Sequence, residues 1–345
     1  MKNDVTIEDE DLEKFPEDFF SYDKSDMRSV IKGFSFHIKE AYRHGQDLKV
    51  QKANKVVVLG MGGSAIGGDI LKNYLSELNI IVNRQYKLTT EVDKETLVIA
   101  SSYSGNTEET ISAYKEAVRK NAQIICMTTG GKLAELAKTN RHEIIRLPKG
   151  LQPRVAIAYS FFPMLRILEN AGMIDSKKTE VDRLAKTLDK AMYEDMGLKM
   201  SDKLNGKIPL IYAAENFIPA AYRWKTQLNE NAKTMAFYNE FSELNHNELS
   251  ATRNNVADFY CIIIRSGDEF SRMVKRMELT KEHYRKNGIN VTEMLIKGET
   301  PLVRLFTAIY IGDWTSYYLA LRYRTDPTPV EEVELFKKEL GSFIS

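Results

Sequence analysis

The sequence predicts an α/β fold of two units, each a three-layer αβα sandwich with a mainly parallel sheet. The chain has 345 residues, more than one typical domain needs. Short β-rich runs alternate with longer helical stretches from residue 55 to 171, and a second series of the same kind starts at residue 208. This alternation favours parallel sheets, because a helix must return the chain to the start of the next strand.

The first series contains five predicted strands, which are short and rich in Val, Ile and Leu. They lie at residues 55–59, 80–82, 97–100, 123–128 and 143–147. Helices are predicted at residues 65–78, 108–120 and 132–139, and an apolar helix over 155–171 closes the unit.

The second series follows a charged, lysine-rich segment that is predicted to form a pair of connecting helices. Its strands are predicted at 208–213, 259–265 and 290–296, and its helices at about 219–228, 269–286 and 302–323. We therefore predict four segments: a helical extension over 1–50, a first domain over 51–173, connecting helices over 174–206 and a second domain over 207–345.

Composition excludes several classes of partner. Lys plus Arg (49) nearly balances Asp plus Glu (48), so no global field favours nucleic acid or an anionic membrane. The sequence has no apolar run long enough to span a bilayer and no secretory signal. Cys126 and Cys261 lie in separate apolar runs, which indicates reduced, buried thiols and a cytoplasmic protein.

A loop of hydroxyl side chains follows the third predicted strand. Residues 101–107 read Ser-Ser-Tyr-Ser-Gly-Asn-Thr and lead directly into a helix. A helix N-terminus offers unpaired N–H groups to an anion, and hydroxyls add further donors. Ser102, Ser104 and Thr107 are therefore candidate phosphate ligands, although helix capping and turn formation would explain one or two of them.

A glycine-rich segment, residues 60–68, follows the first predicted strand. Gly60, Gly62 and Ala65 formally match the dinucleotide fingerprint, but the second strand ends in Asn83-Arg84 instead of an acid. An NADP site would account for the arginine. The alternatives are a tight turn with close helix packing, and a small polar ligand approached by Gly62 and Gly63 and bound by Ser64.

Both loops are expected at the carboxyl edge of one sheet, where α/β proteins bind their ligands. Their convergence favours a compact phosphate. Arg154 follows the fifth strand and opens a nearly uncharged helix. It could bind the anion or stabilise negative charge that develops during a reaction, or it could be a surface residue at a helix start.

The second unit contains two polar motifs, Asn229-Glu230-Asn231 and Asn245-His246-Asn247-Glu248. A carboxylate and a histidine flanked by amides suit proton transfer. The alternatives are a solvated charge at a helix end and a loop histidine. The sequence lacks HxxxH, HxH and CxxC spacings, so we expect no metal site.

The last predicted helix follows a turn at 326–329. Val330, Val333, Phe336 and Leu340 share one face at helical spacing, and Lys337 falls within that apolar arc. A lysine facing inward needs an anionic partner, whereas one at the edge of the face can extend its ammonium group to solvent.

Together these motifs resemble the bifunctional phosphoglucose/phosphomannose isomerases, a branch of the phosphoglucose isomerase superfamily with two sugar-isomerase (SIS) domains. The resemblance covers roughly residues 50–340. Its motifs are GMGGSAIGGD at 60–69, SSYSGNTEET at 101–110, QPR at 152–154, NEN at 229–231, NHNE at 245–248 and the C-terminal lysine.

The resemblance implies a metal-free, cofactor-free isomerase that interconverts glucose 6-phosphate, and mannose 6-phosphate, with fructose 6-phosphate through a cis-enediol. It also implies a homodimer in which His246 reaches the neighbouring subunit's site. The implied roles are phosphate binding by Ser64, Ser102, Ser104 and Thr107, sugar contact by the backbone of Gly62 and Gly63, proton transfer by Glu230, enediolate stabilisation by Arg154, and ring opening by His246 and Lys337.

Three readings remain open at this point. An isomerase accounts for all the motifs, a non-catalytic SIS module that senses a phosphosugar accounts for the first domain, and an NADP-dependent oxidoreductase accounts for the glycine cluster. Activity on mannose 6-phosphate would depend on room around C2–C3, which the resemblance implies comes from a threonine near the catalytic lysine. Thr328 is the nearest candidate to Lys337.

Overall fold

The computed structural model describes residues 18–341, which form two compact units. The first unit comprises Gly33–Ala185 with residues 331–341, and the second comprises Lys186–Val330 with residues 18–32. Contacts thus divide the N-terminal region between the units, whereas the sequence predicts one extension over 1–50. Residues 1–17 of that extension lie outside the described residues, and the four predicted segment boundaries stay predictions.

The first unit contains a five-stranded parallel sheet in the order β2-β1-β3-β4-β5. The strands are β1 Lys55–Leu59, β2 Ile80–Asn83, β3 Thr96–Ser101, β4 Gln123–Thr128 and β5 Glu143–Arg146. All five strands predicted for this unit are present. The order reverses direction between β1 and β3, which makes a topological switch point at the carboxyl edge.

The α-helices follow the chain in the order α1 Met27–Lys32, α2 Phe34–Ala41, α3 Gly62–Tyr74, α4 Glu108–Arg119, α5 Gly131–Thr139, α6 Ile157–Asn170, α7 Lys178–Leu188, α8 Met192–Leu204, α9 Ile218–Asn231, α10 Glu248–Ala251, α11 Ser271–Lys286, α12 Pro301–Arg322 and α13 Glu331–Leu340. The helix pair predicted within 174–206 corresponds to α7 and α8.

Helices cover both faces of the first sheet. On one face, Val98 and Cys126 pack with Tyr114 of α4 and Leu133 of α5 in a fully buried core. On the other face α3 and α6 approach closely, because a Cβ on Gly67 would lie 2.7 Å from the carbonyl oxygen of Ser160. The predicted three-layer arrangement is confirmed.

The second unit contains a four-stranded parallel sheet in the order β7-β6-β8-β9. The strands are β6 Ile208–Ala214, β7 Phe237–Phe241, β8 Phe259–Arg265 and β9 Asn290–Leu295. This succession repeats that of the first four strands of the first sheet, so the two units share one strand order. The predicted fold class, two α/β domains with mainly parallel sheets, is confirmed.

Strand β7 is absent from the sequence prediction. It lies at the edge of its sheet, and of its five residues only Phe241 is buried. An edge strand with one covered residue lacks the apolar alternation from which strands are recognised. The register of β7 against β6, from Leu210–Phe237 to Ala214–Phe241, was therefore set by tertiary structure.

Two further expectations concern the core. Cys126 and Cys261 are both free and buried, as predicted. Burial raises the pKa of the Cys126 thiol to about 12, so this side chain is a protonated, apolar core group. Within residues 18–341, no helix combines the length and apolar character needed to cross a membrane.

Candidate active site

The carboxyl edge of the first sheet brings the two predicted loops together. Leu59 of β1 pairs with Ala100 of β3, so the residues that follow these strands are neighbours. A Cβ on Gly60 would lie 3.0 Å from the carbonyl oxygen of Ser101, which shows how closely the loops pass. Helix α3 begins at Gly62, inside the glycine cluster and three residues before its predicted start at 65.

Hydrogen bonds connect the hydroxyls of these loops. The N–H of Tyr103 donates to Ser64 Oγ at 3.1 Å, and the N–H of Gly105 donates to Ser102 Oγ at 3.1 Å. Ser102 Oγ and Thr107 Oγ1 are 2.9 Å apart. Because Ser64 Oγ accepts a hydrogen bond from the backbone, its own proton is available to a ligand.

Exposure distinguishes the candidate phosphate ligands. Ser64 and Ser102 are 8% and 1% exposed, whereas Ser104 is exposed and its Oγ accepts from the N–H of Asn106 at 3.2 Å. Ser102 therefore shapes the loop with its hydrogen bonds, and Ser104 is the hydroxyl most open to solvent. The sequence pattern assigns all of them the same role.

The two helix N-termini at this edge differ in charge. The first turn of α3 contains no acidic residue, whereas that of α4 contains Glu108 and Glu109. Two carboxylates satisfy the positive end of the α4 dipole and oppose a second anion there. The start of α3 and the loop hydroxyls are therefore better suited than the start of α4 to bind an anion at this edge.

Arg154 belongs to the same group of residues. A Cβ on Gly63 would lie 2.6 Å from the carbonyl oxygen of Pro153 and 2.9 Å from the nitrogen of Arg154, so the Pro153–Arg154 peptide packs directly on the start of α3. Arg154 is 3% exposed. This burial argues against the alternative of a surface arginine. A buried guanidinium is stable only beside polar or anionic groups.

The arginine after β2 has a structural role. Arg84 Nη2 donates to Asp69 Oδ2 of α3, which forms an ion pair at the side of the glycine loop. Burial raises the pKa of Asp69 and the guanidinium of Arg84 opposes that shift. This pairing accounts for Arg84 without an NADP phosphate.

In the second unit, Glu230 is in the last turn of α9 and is partly exposed. The helix is anchored to α12 by a buried ion pair, in which Arg223 Nη2 lies 2.9 Å from Asp313 Oδ2. Gln227 Nε2 donates to Asp313 Oδ1 at 3.0 Å, one turn before Glu230. Burial raises the pKa of Asp313, and Arg223 acts against this shift.

The residues around Glu230 hold the end of α9 in place. Asn229 Nδ2 donates to the carbonyl oxygen of Thr234 at 2.8 Å, and Asn231 Nδ2 donates to Ser316 Oγ at 3.0 Å. Lys233 Nζ donates to the carbonyl oxygens of Glu230 and of Pro329, the latter at 2.5 Å. Lys233 thus joins the end of α9 to the 326–329 turn, which contains Thr328.

His246 ends a short 3₁₀ helix, Glu243–His246, and is exposed. Its neighbours are engaged with the protein: Asn245 Nδ2 donates to Thr280 Oγ1 at 2.8 Å and Asn247 Nδ2 to Glu243 Oε1 at 2.9 Å. Glu248 Oε1 accepts from Asn239 Nδ2 at 2.6 Å. The side chains on either side of His246 therefore hold the motif in place, while its imidazole is exposed to solvent.

The structure separates Glu230 from His246. Helix α9 runs from the carboxyl end of β6 back to the start of β7, so Glu230 lies at the amino edge of the sheet, and His246 follows β7 at the carboxyl edge. The strand between them has five residues and spans about 17 Å at roughly 3.3 Å per residue. The second unit of one chain therefore does not hold both groups at one point.

Lys337 is not buried in the single chain. Its side chain is 63% exposed and Nζ forms an i,i+3 ion pair with Glu334 at 2.8 Å. The apolar arc around it is also uncovered, with Val333, Phe336 and Leu340 44%, 64% and 58% exposed. Of the two alternatives that the sequence leaves open for Lys337, the isolated chain shows the solvent-facing one, since no residue of α13 is buried among residues 18–341.

Sequence reasoning missed several residues that build the site. Tyr103 lies inside the serine loop but gives no signal there, because it is neither a small hydroxyl residue nor a charged one. Asp313 had a usable signal, since it is a lone acid in the apolar run of α12, which predicts a buried partner such as Arg223. Lys233 had no signal, because the carbonyl oxygens of Glu230 and Pro329 that it contacts belong to the backbone.

Comparison with known proteins agrees with this architecture. A family model described as "SIS domain" matches residues 49–171, and one described as "Bacterial phospho-glucose isomerase C-terminal SIS domain" matches residues 194–340. Tagatose-6-phosphate ketose/aldose isomerase from Escherichia coli has a similar fold, with a TM-score of 0.62 and 16% identity over 90% of this chain and 94% of that one.

Two curated relatives are closer in sequence. The bifunctional phosphoglucose/phosphomannose isomerase of Caldicellulosiruptor bescii is 39% identical over 324 residues, which cover 88% of this chain and 96% of that protein. The D-glucosamine-6-phosphate 4-epimerase of Sulfolobus acidocaldarius is 33% identical over 267 residues, 76% of this chain and 86% of that protein. With two SIS domains and this level of identity, the chain belongs to the family of bifunctional phosphoglucose/phosphomannose isomerases.

Proposed function

We propose that this protein is an aldose–ketose isomerase that interconverts glucose 6-phosphate, and mannose 6-phosphate, with fructose 6-phosphate through a cis-enediol. The observation that carries the proposal is the 39% identity to an enzyme of that name over 96% of the enzyme's length. The two hydroxyl-bearing loops beside the start of α3 support a sugar phosphate as the ligand. Relatives named as enzymes give no support to a non-catalytic sensor.

We place the reaction in the cytoplasm, where buried free thiols such as Cys126 stay reduced.

Each residue has a role in this scheme. Ser64, Ser102, Ser104 and Thr107 bind or shape the site of the phosphate, and the backbone of Gly62 and Gly63 approaches the sugar. His246 and Lys337 assist ring opening, which exposes the carbonyl. Glu230 then moves a proton between C1 and C2, and the guanidinium of Arg154 stabilises the enediolate. A carbon acid next to a carbonyl needs both a base and a fixed cation, since the charge that develops on oxygen is otherwise uncompensated.

The first prediction is turnover without added metal. Purified protein treated with EDTA is expected to form fructose 6-phosphate from glucose 6-phosphate and from mannose 6-phosphate, because the proposed acid–base groups are all side chains of the chain. A coupled assay measures both rates. The proposal is contradicted if neither substrate is turned over by protein that circular dichroism shows to be folded.

A second candidate is epimerisation of an amino-sugar phosphate. The observation that favours it is the 33% identity to the Sulfolobus acidocaldarius enzyme, whose name places its activity at C4 of D-glucosamine 6-phosphate. The higher identity and coverage of the isomerase relative make it the secondary candidate. Incubation with D-glucosamine 6-phosphate, followed by product analysis by NMR, separates the two reactions.

We further propose that the active protein is a homodimer in which His246 serves the site of the neighbouring subunit. Two observations support this. Glu230 and His246 lie at opposite ends of β7, so one chain does not bring them together, and the imidazole is exposed. The apolar side chains of α13 are uncovered in the single chain, and contact with a second copy would bury them.

The second prediction is complementation between two inactive variants. Glu230→Gln and His246→Ala chains, co-expressed with different tags and purified as a heterodimer, are expected to regain about half the wild-type turnover. One of the two sites then has an intact Glu230 from one chain and an intact His246 from the other. Each homodimeric variant is the control. A heterodimer no more active than its parents, or a monomeric mass by light scattering, contradicts the proposal.

A further inference from the structure

One residue, Tyr103, contacts several of the loops at the carboxyl edge of the first sheet. Its N–H donates to Ser64 Oγ at 3.1 Å, which ties it to the start of α3. Its carbonyl oxygen accepts from the N–H of Thr129 at 3.0 Å, which ties it to the loop after β4. These two hydrogen bonds fix the position of the Tyr103 backbone, and so they fix the position from which its side chain extends.

The Tyr103 hydroxyl bridges the two ends of the turn that follows β5. It donates to the carbonyl oxygen of Pro148 at 2.6 Å and accepts from the N–H of Leu151 at 3.0 Å. The turn between these residues is otherwise open: Lys149 is exposed, and a Cβ on Gly150 would meet no atom within 4 Å. One hydroxyl thus closes a turn that has little packing of its own.

That turn leads directly to Arg154. The N–H groups of Val155 and Ala156 both donate to the carbonyl oxygen of Gln152, at 3.0 and 3.2 Å, and the Pro153–Arg154 peptide rests on Gly63. The segment 148–154 is therefore held at its start by Tyr103 and at its end by α3. Loss of the Tyr103 hydrogen bonds would remove the anchor at the start of the segment that ends at Arg154.

We propose that the Tyr103 hydroxyl is a positioning group that holds the segment 148–154 and so aims the Arg154 guanidinium at the reacting oxygen. The inference rests on the proposed function, in which Arg154 stabilises the enediolate. Electrostatic stabilisation depends on a charge that is already aimed, and a displacement of about 1 Å can cost about 10²-fold in rate. Tyr103 touches no reacting atom in this scheme and acts through Arg154.

Tyr103→Phe tests the inference because it removes only the hydroxyl. We expect kcat to fall about 10- to 100-fold with KM nearly unchanged, since the backbone of the loop at 101–107 is unaltered. In an Arg154→Lys background, Tyr103→Phe is expected to cause no further loss of kcat, because a lysine lacks the planar fork that the segment aims. Backbone amides of residues 147–155 are expected to exchange faster with deuterium.

Tyr114→Phe is the matched control. Its hydroxyl also makes two hydrogen bonds in the first unit, accepting from Asn140 Nδ2 at 3.0 Å and lying 2.8 Å from His142 Nδ1, but at the amino end of β5. It should lower the melting temperature about as much as Tyr103→Phe, with kcat unchanged.

The outcomes separate the two proposals. Unchanged amide exchange over 147–155 in Tyr103→Phe overturns the positioning role, and so does an equal fold-loss of kcat in the wild-type and Arg154→Lys backgrounds. A wild-type protein without isomerase turnover removes the proposed function instead, while the exchange measurement still accepts or rejects the ordering of the segment by Tyr103.

Discussion

Glu230→Gln is expected to lower kcat by about 10²- to 10⁴-fold, the contribution of a positioned general base. The amide has the shape of the carboxylate but does not accept the proton from C2, so the chemical step fails while the site stays open to substrate. Rates with glucose 6-phosphate and with mannose 6-phosphate should fall together, because one base serves both C2 epimers. Steady-state kinetics measures the rates, and calorimetric titration measures fructose 6-phosphate binding, which should be preserved.

The structure explains why this substitution should leave the fold intact. The end of α9 is anchored by Asn229, Asn231 and the Arg223–Asp313 ion pair, and the carbonyl oxygen of Glu230, which accepts from Lys233, is unchanged in the variant. Glu240→Gln is the control, because it makes the same change from carboxylate to amide at an exposed position on β7. It should leave kcat unaltered. Turnover retained by Glu230→Gln contradicts the assignment of the base.

Gly105→Ala is expected to have the largest effect on stability. Gly105 has a φ of +74°, and a Cβ there would lie 1.9 Å from the carbonyl oxygen of Gly130. The left-handed conformation costs about 1–2 kcal/mol for an L-residue, and forcing apart two backbone segments costs about 1–3 kcal/mol more. We expect the free energy of unfolding to fall by about 2–5 kcal/mol, measured by urea denaturation.

The same substitution should also weaken substrate binding, because Gly105 lies between Ser104 and Thr107 in the loop that we propose binds the phosphate. Gly172→Ala is the matched control: its φ is +62°, but a Cβ there would meet no atom within 4 Å. It isolates the cost of the left-handed conformation and should lose only about 1–2 kcal/mol with KM unchanged. Equal losses in the two variants would show that the approach of Gly130 is unimportant.

Much of this molecule is readable in its sequence, for physical reasons that particular elements illustrate. Strands such as β1 and β4 are buried on both faces, so each is a short apolar run between turn residues, and helices must lie between them. The serine loop and the glycine loop each follow such a strand, and parallel strands end at one edge. Their proximity therefore followed from local patterns alone.

Two features that depend on few buried residues were not decided by the sequence. Strand β7 buries one residue, so its pattern resembles that of a loop, and its place beside β6 depends on register with a partner distant in sequence. Helix α13 itself was predicted, but the sequence left open what its apolar face contacts, and that face is exposed in the single chain. Periodicity shows that a face is apolar, and only the neighbouring surfaces decide what covers it.

By itself the sequence determined the two α/β domains, the strand-end loops and the identity of the polar motifs, because these depend on side-chain chemistry and local periodicity. Tertiary structure decided the rest. It packed Arg154 against Gly63, closed the turn before it through Tyr103, and separated Glu230 from His246 by the length of β7. These relations join residues far apart in the chain or on opposite edges of a sheet, and no local pattern encodes them.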